Sequence, residues 1–238
     1  MANYPFLYLI FPVVALGYAL FMRSKQKKMT QGYDEQYANF RAGALAQRLG
    51  LQLLKGDPTY NFMVTHANQS VARGATDSKA INIDIEMSGT PFGVPLTFRY
   101  LYRVERESGF NSTTYKTWFN CRMIASAKQA FPPFEVTSRN TALGRIVREQ
   151  TLPDAPTHNA AVDAEFQVTT PEPALAQLLG PILPEFSAFG SAGVHLLGDG
   201  RQVSFVMNQS TAPIVPSAIY YAEVMAHALS NLAQRLGG

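Results

Sequence analysis

Ile81-Asn82-Ile83-Asp84-Ile85-Glu86-Met87 alternates large apolar residues with polar ones. Because successive side chains of a strand point to opposite faces, this stretch predicts a β-strand with one buried face and one wet face. After turn residues at 88–93, residues 96–104 repeat the alternation, with Leu96, Phe98 and Tyr100 on one face. Residues 115–124 predict a third strand. Successive strands with short connections favour an antiparallel meander.

Helical patterns flank this predicted meander. Apolar residues recur at three- and four-residue spacing over residues 33–49, and Gly50 follows as a helix-terminating residue. Residues 139–163 contain prolines and few large apolar side chains, which indicates an irregular connection. The pattern predicts an α+β fold in which residues 29–138 contribute the first helix and the meander.

A second block is predicted over residues 164–238, packed with residues 29–138 as one unit. Residues 164–169 form its strand, and Thr170 is expected to cap the following helix with Pro171 in its first position. Two apolar runs, 194–197 and 202–207, flank Gly198-Asp199-Gly200, which predicts a β-hairpin. The last helix is expected over residues 217–236. The block is therefore strand, helix, hairpin, helix.

The hydrophobic spacing of this block resembles a known family. Its elements are Phe134-Glu135-Val136, then Phe166-Gln167-Val168, then Pro173-Ala174-Leu175-Ala176-Gln177-Leu178-Leu179, followed by the predicted hairpin and terminal helix. Over residues 131–236 the pattern resembles the DUF3137-type family of bacterial membrane-anchored proteins of unknown function. The resemblance implies a short membrane region and a cytoplasmic α+β domain, and it brings no established active site.

The N-terminus predicts a membrane anchor. Residues 5–22 carry no charge, and as a helix these eighteen residues would span roughly 27 Å, close to the hydrocarbon thickness of a bilayer. The cations Arg23, Lys25, Lys27 and Lys28 follow at once. A signal peptide would carry its positive charge before the apolar run and a cleavage site after it, so a transmembrane helix is the better interpretation. Cationic flanks stay in the cytoplasm. We therefore expect a single-pass protein of the cell membrane, with its N-terminus outside and residues 29–238 cytoplasmic.

The same four cations account for the basic character of the chain. Of its 20 Lys and Arg residues, four lie in this flank, which leaves 16 against 17 Asp and Glu. The body is thus near neutral and shows no concentrated basic face, so we expect no nucleic-acid partner. The flank would instead attract anionic lipid headgroups, at about 1 kcal/mol for each cation.

The sequence offers no recognisable catalytic constellation. Cys121 is the only cysteine and lies in an apolar strand, so a buried role is expected and a disulfide framework is excluded. The four histidines are scattered, and His227 is expected to pair with Glu223 on the surface of the last helix. Asp84 and Glu86 share a strand face, which is typical of an ordinary wet face. We predict no catalytic, cofactor or metal site.

Aromatic residues are concentrated in the predicted meander, where core packing explains most of them. In the predicted strand, Trp118 lies on the opposite face from Phe119 and Cys121. Together with Phe92 and Phe110, it is the candidate for an interface. The leading hypothesis is a membrane-tethered domain that binds a protein partner, as an accessory subunit of a membrane complex. A lipid or apolar-ligand-binding module at the membrane surface is the alternative, and an unrecognised enzyme is the third.

Overall fold

The computed structural model describes residues 24–25, 28, 31–32, 34–63, 81–108, 113–139, 152–189, 193–206 and 219–237. The strands in these ranges are β1 (Gln52–Lys55), β2 (Ile81–Gly89), β3 (Leu96–Ser108), β4 (Thr113–Ser138), β5 (Phe166–Thr169) and β6 (His195–Val206). The α-helices are α1 (Ala42–Arg48), α2 (Ala160–Glu165), α3 (Pro173–Leu179) and α4 (Ala222–Leu236). Short 3-10 helices occupy Ala38–Phe40, Pro91–Gly93 and Leu183–Phe189.

All six strands belong to one antiparallel sheet, which confirms the α+β class and the mainly antiparallel sheet. β2 to β4 form the predicted meander, each strand pairing with the next, and β1, a strand that was not predicted, pairs with β2. Its register places Ile85 opposite Tyr100, and Tyr100 opposite Cys121. Residues that the alternation assigned to one face thus lie side by side across three strands.

β4 is the central strand and is longer than the sequence indicated. Along one edge it pairs with β3 as far as Ala125 and with β5 from Glu135 onward, while β6 pairs along the opposite edge. Ser126 pairs with Gln202 and Phe131 pairs with Gly200. The five-residue step in β4 therefore faces a two-residue step in β6, and the extra residues of β4 form a large bulge. A second register shift lies between Phe131 and Phe134. Pro132 and Pro133 lie in it, where a missing N–H donor breaks no ladder hydrogen bond.

The predicted hairpin at Gly198-Asp199-Gly200 is wrong. Both flanking runs belong to one strand, β6, and both pair with β4. Gly198 lies opposite Phe134 so closely that an added Cβ would overlap the Phe134 ring. Gly200 has a φ of 61° and lies opposite Phe131. The glycines therefore let β6 follow the bulge of β4, and the chain does not reverse there.

The first predicted helix is interrupted. Arg41 has an extended backbone, with φ −68° and ψ 146°, and forms an isolated bridge with Asn61. The helical stretch that follows, α1, ends at Arg48, and Gly50 takes a φ of 65° as predicted. The interruption follows from the pairing with Asn61, which lies twenty residues later and leaves no periodic signal in residues 33–49.

Two boundaries in the second block also differ from prediction. Residues 164–165 end α2, so the strand begins at Phe166, and α2 starts within the expected irregular connection with Asn159 as its N-cap. Thr170 does not cap α3, whose N-cap is Glu172 and whose first residue is Pro173. The Thr170 hydroxyl instead donates to the carbonyl oxygen of Pro133 at 3.0 Å, so it ties this turn to β4.

Side chains from both blocks form one hydrophobic core. Phe62 packs on Phe98 and Tyr100 near α1, and Phe186 and Phe189 pack on Phe205 of β6. In the described ranges, no helix is both long enough and apolar enough to cross a bilayer. Residues 5–22, the expected anchor, lie outside those ranges.

Candidate functional site

The two faces of the sheet differ in burial. The inner face, which carries Ile85, Phe98 and Met123, is fully buried against the core. The outer face carries Glu86, Arg99 and Arg122, the residues that alternate with them. Arg99 is 59 % exposed there, and Leu101 and Ile124 are half-buried. Since the inner face is filled by the protein itself, the outer face is the one that can receive a partner.

Reactive groups on the inner face are held in their neutral forms. Burial raises the pKa of the Tyr100 hydroxyl, and the neighbouring Tyr60 hydroxyl, 3.2 Å away, raises it further. Burial likewise raises the pKa of the Cys121 thiol. A thiol needs its thiolate form to act as a nucleophile, so Cys121 behaves as a buried apolar residue, as predicted.

The outer face presents a row of charged side chains across three strands. Glu86 lies opposite Arg99, and Arg99 lies opposite Arg122. Arg99 Nη2 contacts Glu86 Oε1 at 3.2 Å, while Asp84 pairs with Lys55 Nζ at 2.5 Å. Each carboxylate thus has its own cation, which agrees with the expected wet face.

Arg122 is the unpaired member of this row. Its Nε is buried and has no hydrogen-bond partner among the described residues, and the same holds for the buried Oδ1 of Asn120, two residues earlier. Among the described residues, no carboxylate forms an ion pair with Arg122. A buried donor without an acceptor costs about 1–3 kcal/mol, and more when it is charged. The outer face therefore carries an unsatisfied donor and acceptor close together.

Of the three predicted interface residues, Trp118 lies in β4, four residues before Arg122. Its backbone pairs with Arg103, and in β4 it has the strand parity of Asn120 and Arg122. Phe92 lies before β3, which begins at Leu96. Arg103, the backbone partner of Trp118, is seven residues beyond Leu96, which is roughly 23 Å along the strand. Phe110 lies outside the described residues. The structure therefore does not bring Phe92 and Trp118 together.

Phe92 is held in an unusual conformation. Its φ of 57° is left-handed, which costs a bulky residue about 1–3 kcal/mol, and its side chain is 54 % exposed. Gln234 Nε2 donates to the Phe92 carbonyl oxygen at 2.9 Å, and the His227 ring meets the Phe92 ring edge-on at 5.3 Å. Two residues of α4 thus fix the Phe92 turn.

Two of the described histidines have polar side-chain neighbours. His195 Nε2 lies 2.9 Å from Glu135 Oε1, and His227 Nδ1 lies 3.3 Å from Asn231 Nδ2. The expected pair of His227 with Glu223 is wrong, because Glu223 pairs with Arg48 of α1 at 2.6 Å. Within the described ranges, no three His, Cys, Asp or Glu side chains are arranged to hold a metal ion.

A shallow cavity lies between the Phe92 turn, the β4 bulge and the end of α4. Its volume is about 170 Å³, below the roughly 300–1,000 Å³ of typical small-molecule sites. It is lined by Gly93, Val94, Pro95, Ser126, Lys128, Ala233, Gln234 and Gly237. This cavity is too small to enclose a lipid chain.

Of the predicted cationic flank, Lys25 and Lys28 are described and exposed, whereas Arg23 and Lys27 lie outside the described residues. The sequence interpretation did not single out Arg122 or Asn120. Their shared parity with Trp118 was the available signal, but the lack of a partner is a tertiary property that no strand pattern contains.

Comparison of the chain with protein-family models, with curated proteins and with solved structures found no match. The resemblance of residues 131–236 to the DUF3137-type family stays a prediction.

Proposed function

We propose that this chain is a single-pass membrane protein whose cytoplasmic domain binds a protein partner, as an accessory subunit of a membrane complex. Its support in the sequence is the uncharged segment 5–22, followed by Arg23, Lys25, Lys27 and Lys28. Retention of these cations in the cytoplasm gives the orientation, with the N-terminus outside. Tethering of this kind raises the effective concentration of the domain at the membrane surface.

The observation that carries the binding proposal is the unpaired side chain of Arg122 on the outer face. Its buried Nε lacks an acceptor, and the neighbouring Asn120 Oδ1 lacks a donor. Both atoms are covered by the chain itself, so a partner carboxylate would pair with Arg122 after its side chain turns outward, which would also open Asn120 Oδ1 to a donor. Half-buried Leu101 and Ile124 would supply apolar contact area beside them. Arginine is enriched at protein interfaces.

The alternative, a lipid or apolar-ligand-binding module, needs an apolar cavity. The inner face carries the largest apolar side chains, but Phe98, Tyr100 and Met123 are fully buried there. The outer face combines charge with moderate apolar area, which favours a protein surface over a lipid chain. An enzymatic role has less support, because the reactive groups described above are buried or paired.

The test is recovery of a partner with matched variants of the full chain. Arg122→Gln removes the guanidinium, and Arg201→Gln removes an exposed arginine of β6 as the control. Loss of a buried, hydrogen-bonded charge at an interface costs about 2–5 kcal/mol of binding. We expect a stoichiometric partner to co-purify in mild detergent at native expression levels with the parent chain and with Arg201→Gln, and to be lost with Arg122→Gln.

Equal recovery with both variants would place the interface elsewhere on the domain. Recovery of the parent chain alone, without a partner at native levels, would contradict the proposal itself. Unfolding curves of the two variants should match that of the parent, so that a lost partner reflects the surface rather than the fold.

A further inference from the structure

Three exposed side chains lie together where α4 begins. Tyr220 is 61 % exposed, Tyr221 38 % and Val224 48 %, and we call this group the α4 rim. Tyr220 and the N-cap residue Tyr221 come directly before α4, and Val224 lies in its first turn. The rim thus combines two amphipathic rings with an aliphatic side chain at the start of α4.

Contacts with the N-terminal part of the domain fix the α4 rim. The Tyr220 ring stacks on Phe40, with ring centroids 6.1 Å apart. The Arg48 guanidinium lies over the same Phe40 ring, 5.3 Å from its centre. Arg48 Nε also contacts Glu223 Oε1 at 2.6 Å. The rim therefore packs on Phe40 and lies next to the partly exposed Arg48–Glu223 ion pair.

The chain that leads to the expected anchor enters the domain beside this rim. Asp34 is fixed there by an ion pair with Arg41 and by a hydrogen bond of 2.8 Å from Asn61 Nδ2 to its Oδ1. Tyr37, three residues later, contacts the same Phe40 ring at 6.0 Å. The hydrogen bonds from Arg41 and Asn61 lower the pKa of the Asp34 carboxyl, which keeps this attachment charged at neutral pH.

Chain length then limits how far the rim can lie from the headgroups. Lys28, the last cation of the flank, precedes Asp34 by six residues, which span at most roughly 22 Å when fully extended. Residues 28, 31 and 32 are helical and shorten this reach. If the flank lies among lipid headgroups, Asp34 lies within that distance of them. Tyr37, three residues later, and Tyr220 both contact the Phe40 ring.

We propose that the α4 rim docks on the phospholipid surface of the membrane that the N-terminal segment enters. This proposal rests on the anchor in the proposed function. Tyrosine rings are enriched at the headgroup level, where an apolar ring and a polar hydroxyl are both satisfied, and Val224 would add apolar contact. Docking at two points, anchor and rim, would hold the domain in one orientation and leave the outer face of the sheet for the partner.

The test measures the depth of a probe on the rim in the full chain. Val224→Cys is labelled with an environment-sensitive fluorophore, and Leu178→Cys, which is 42 % exposed on α3, is the matched control. Cys121 is buried and stays unlabelled, which the parent chain verifies. Both proteins are reconstituted into phosphatidylcholine–phosphatidylglycerol vesicles that contain lipids with a nitroxide just below the headgroup.

We expect quenching and a blue shift at position 224, and neither at position 178. Adding Tyr220→Ser to the Val224→Cys protein should reduce the quenching, since it removes the neighbouring ring. Equal quenching at both positions would overturn the docking proposal. So would the absence of quenching at position 224 in protein that floats with the vesicles. A rim that is protected only when a protein partner is added would overturn the proposal as well. Failure of the parent chain to float would overturn the anchor, which separates the two failures.

Discussion

The two faces of the central sheet are made of the same strands and have opposite roles. On β3, Phe98 is fully buried and its neighbour Arg99 is largely exposed. On β4, Met123 is fully buried, and its neighbour Arg122 is half-buried with an Nε that has no partner in the part of the chain that the structure describes. The inner face holds the fold together by burial of apolar area, whereas the outer face contributes little to stability. Substitutions on the two faces should therefore separate stability from binding.

The largest expected effect is on the inner face. Phe98→Ala should lower the free energy of unfolding by about 3–5 kcal/mol, because it removes a buried ring and leaves a cavity beside Phe62. Arg99→Ala, one residue away, should cost at most about 1 kcal/mol, since it breaks a single exposed ion pair. Urea unfolding of the full chain in detergent measures both. Similar losses for the two variants would show that the faces do not differ as described.

A second prediction concerns the bend where β6 follows β4. Gly198→Ala should cost about 1–3 kcal/mol, because the new methyl group overlaps the Phe134 ring. The cost should fall when Phe134→Leu is also present, since the smaller side chain leaves room. A double-mutant cycle on the free energy of unfolding gives this coupling. Additive losses would mean that the Phe134 ring does not require glycine at this position.

The smallest effect on stability is expected on the outer face. Arg122→Leu should leave the free energy of unfolding within about 1 kcal/mol of the parent value, or raise it, because a buried donor without an acceptor is removed. Thermal unfolding of the Arg122→Leu protein beside the parent chain is the measurement. A loss well above 2 kcal/mol would assign Arg122 a structural role within the chain.

The strands of the meander were predictable because their information is local. Ile83, Ile85 and Met87 alternate with polar residues, and the alternation predicts both the strand and its buried face. The same reasoning failed at Gly198-Asp199-Gly200, where local turn chemistry favours a reversal. The outcome was decided by β4, whose bulge and Phe134 ring require small residues in the partner strand.

The prediction of one helix over residues 33–49 failed for a similar reason. Their periodicity fits a helix throughout, yet Arg41 is extended because its backbone pairs with Asn61 and its side chain pairs with Asp34. The candidate site shows the same limit. Strand alternation predicted that Trp118 and Cys121 lie on opposite faces of the sheet. Only the assembled sheet shows that Arg99 pairs with Glu86, whereas Arg122 Nε has no hydrogen-bond partner among the described residues.

By itself the sequence determined the α+β class, the antiparallel meander, the end of α1 at Gly50 and the concentration of positive charge before residue 29. These properties follow from periodicity, turn chemistry and composition, each of which acts over a few residues. The tertiary structure decided the course of β6, the interruption at Arg41, the unsatisfied Arg122 and the position of Tyr220 beside Phe40. Each of these depends on groups far apart in the chain, whose proximity is a result of packing.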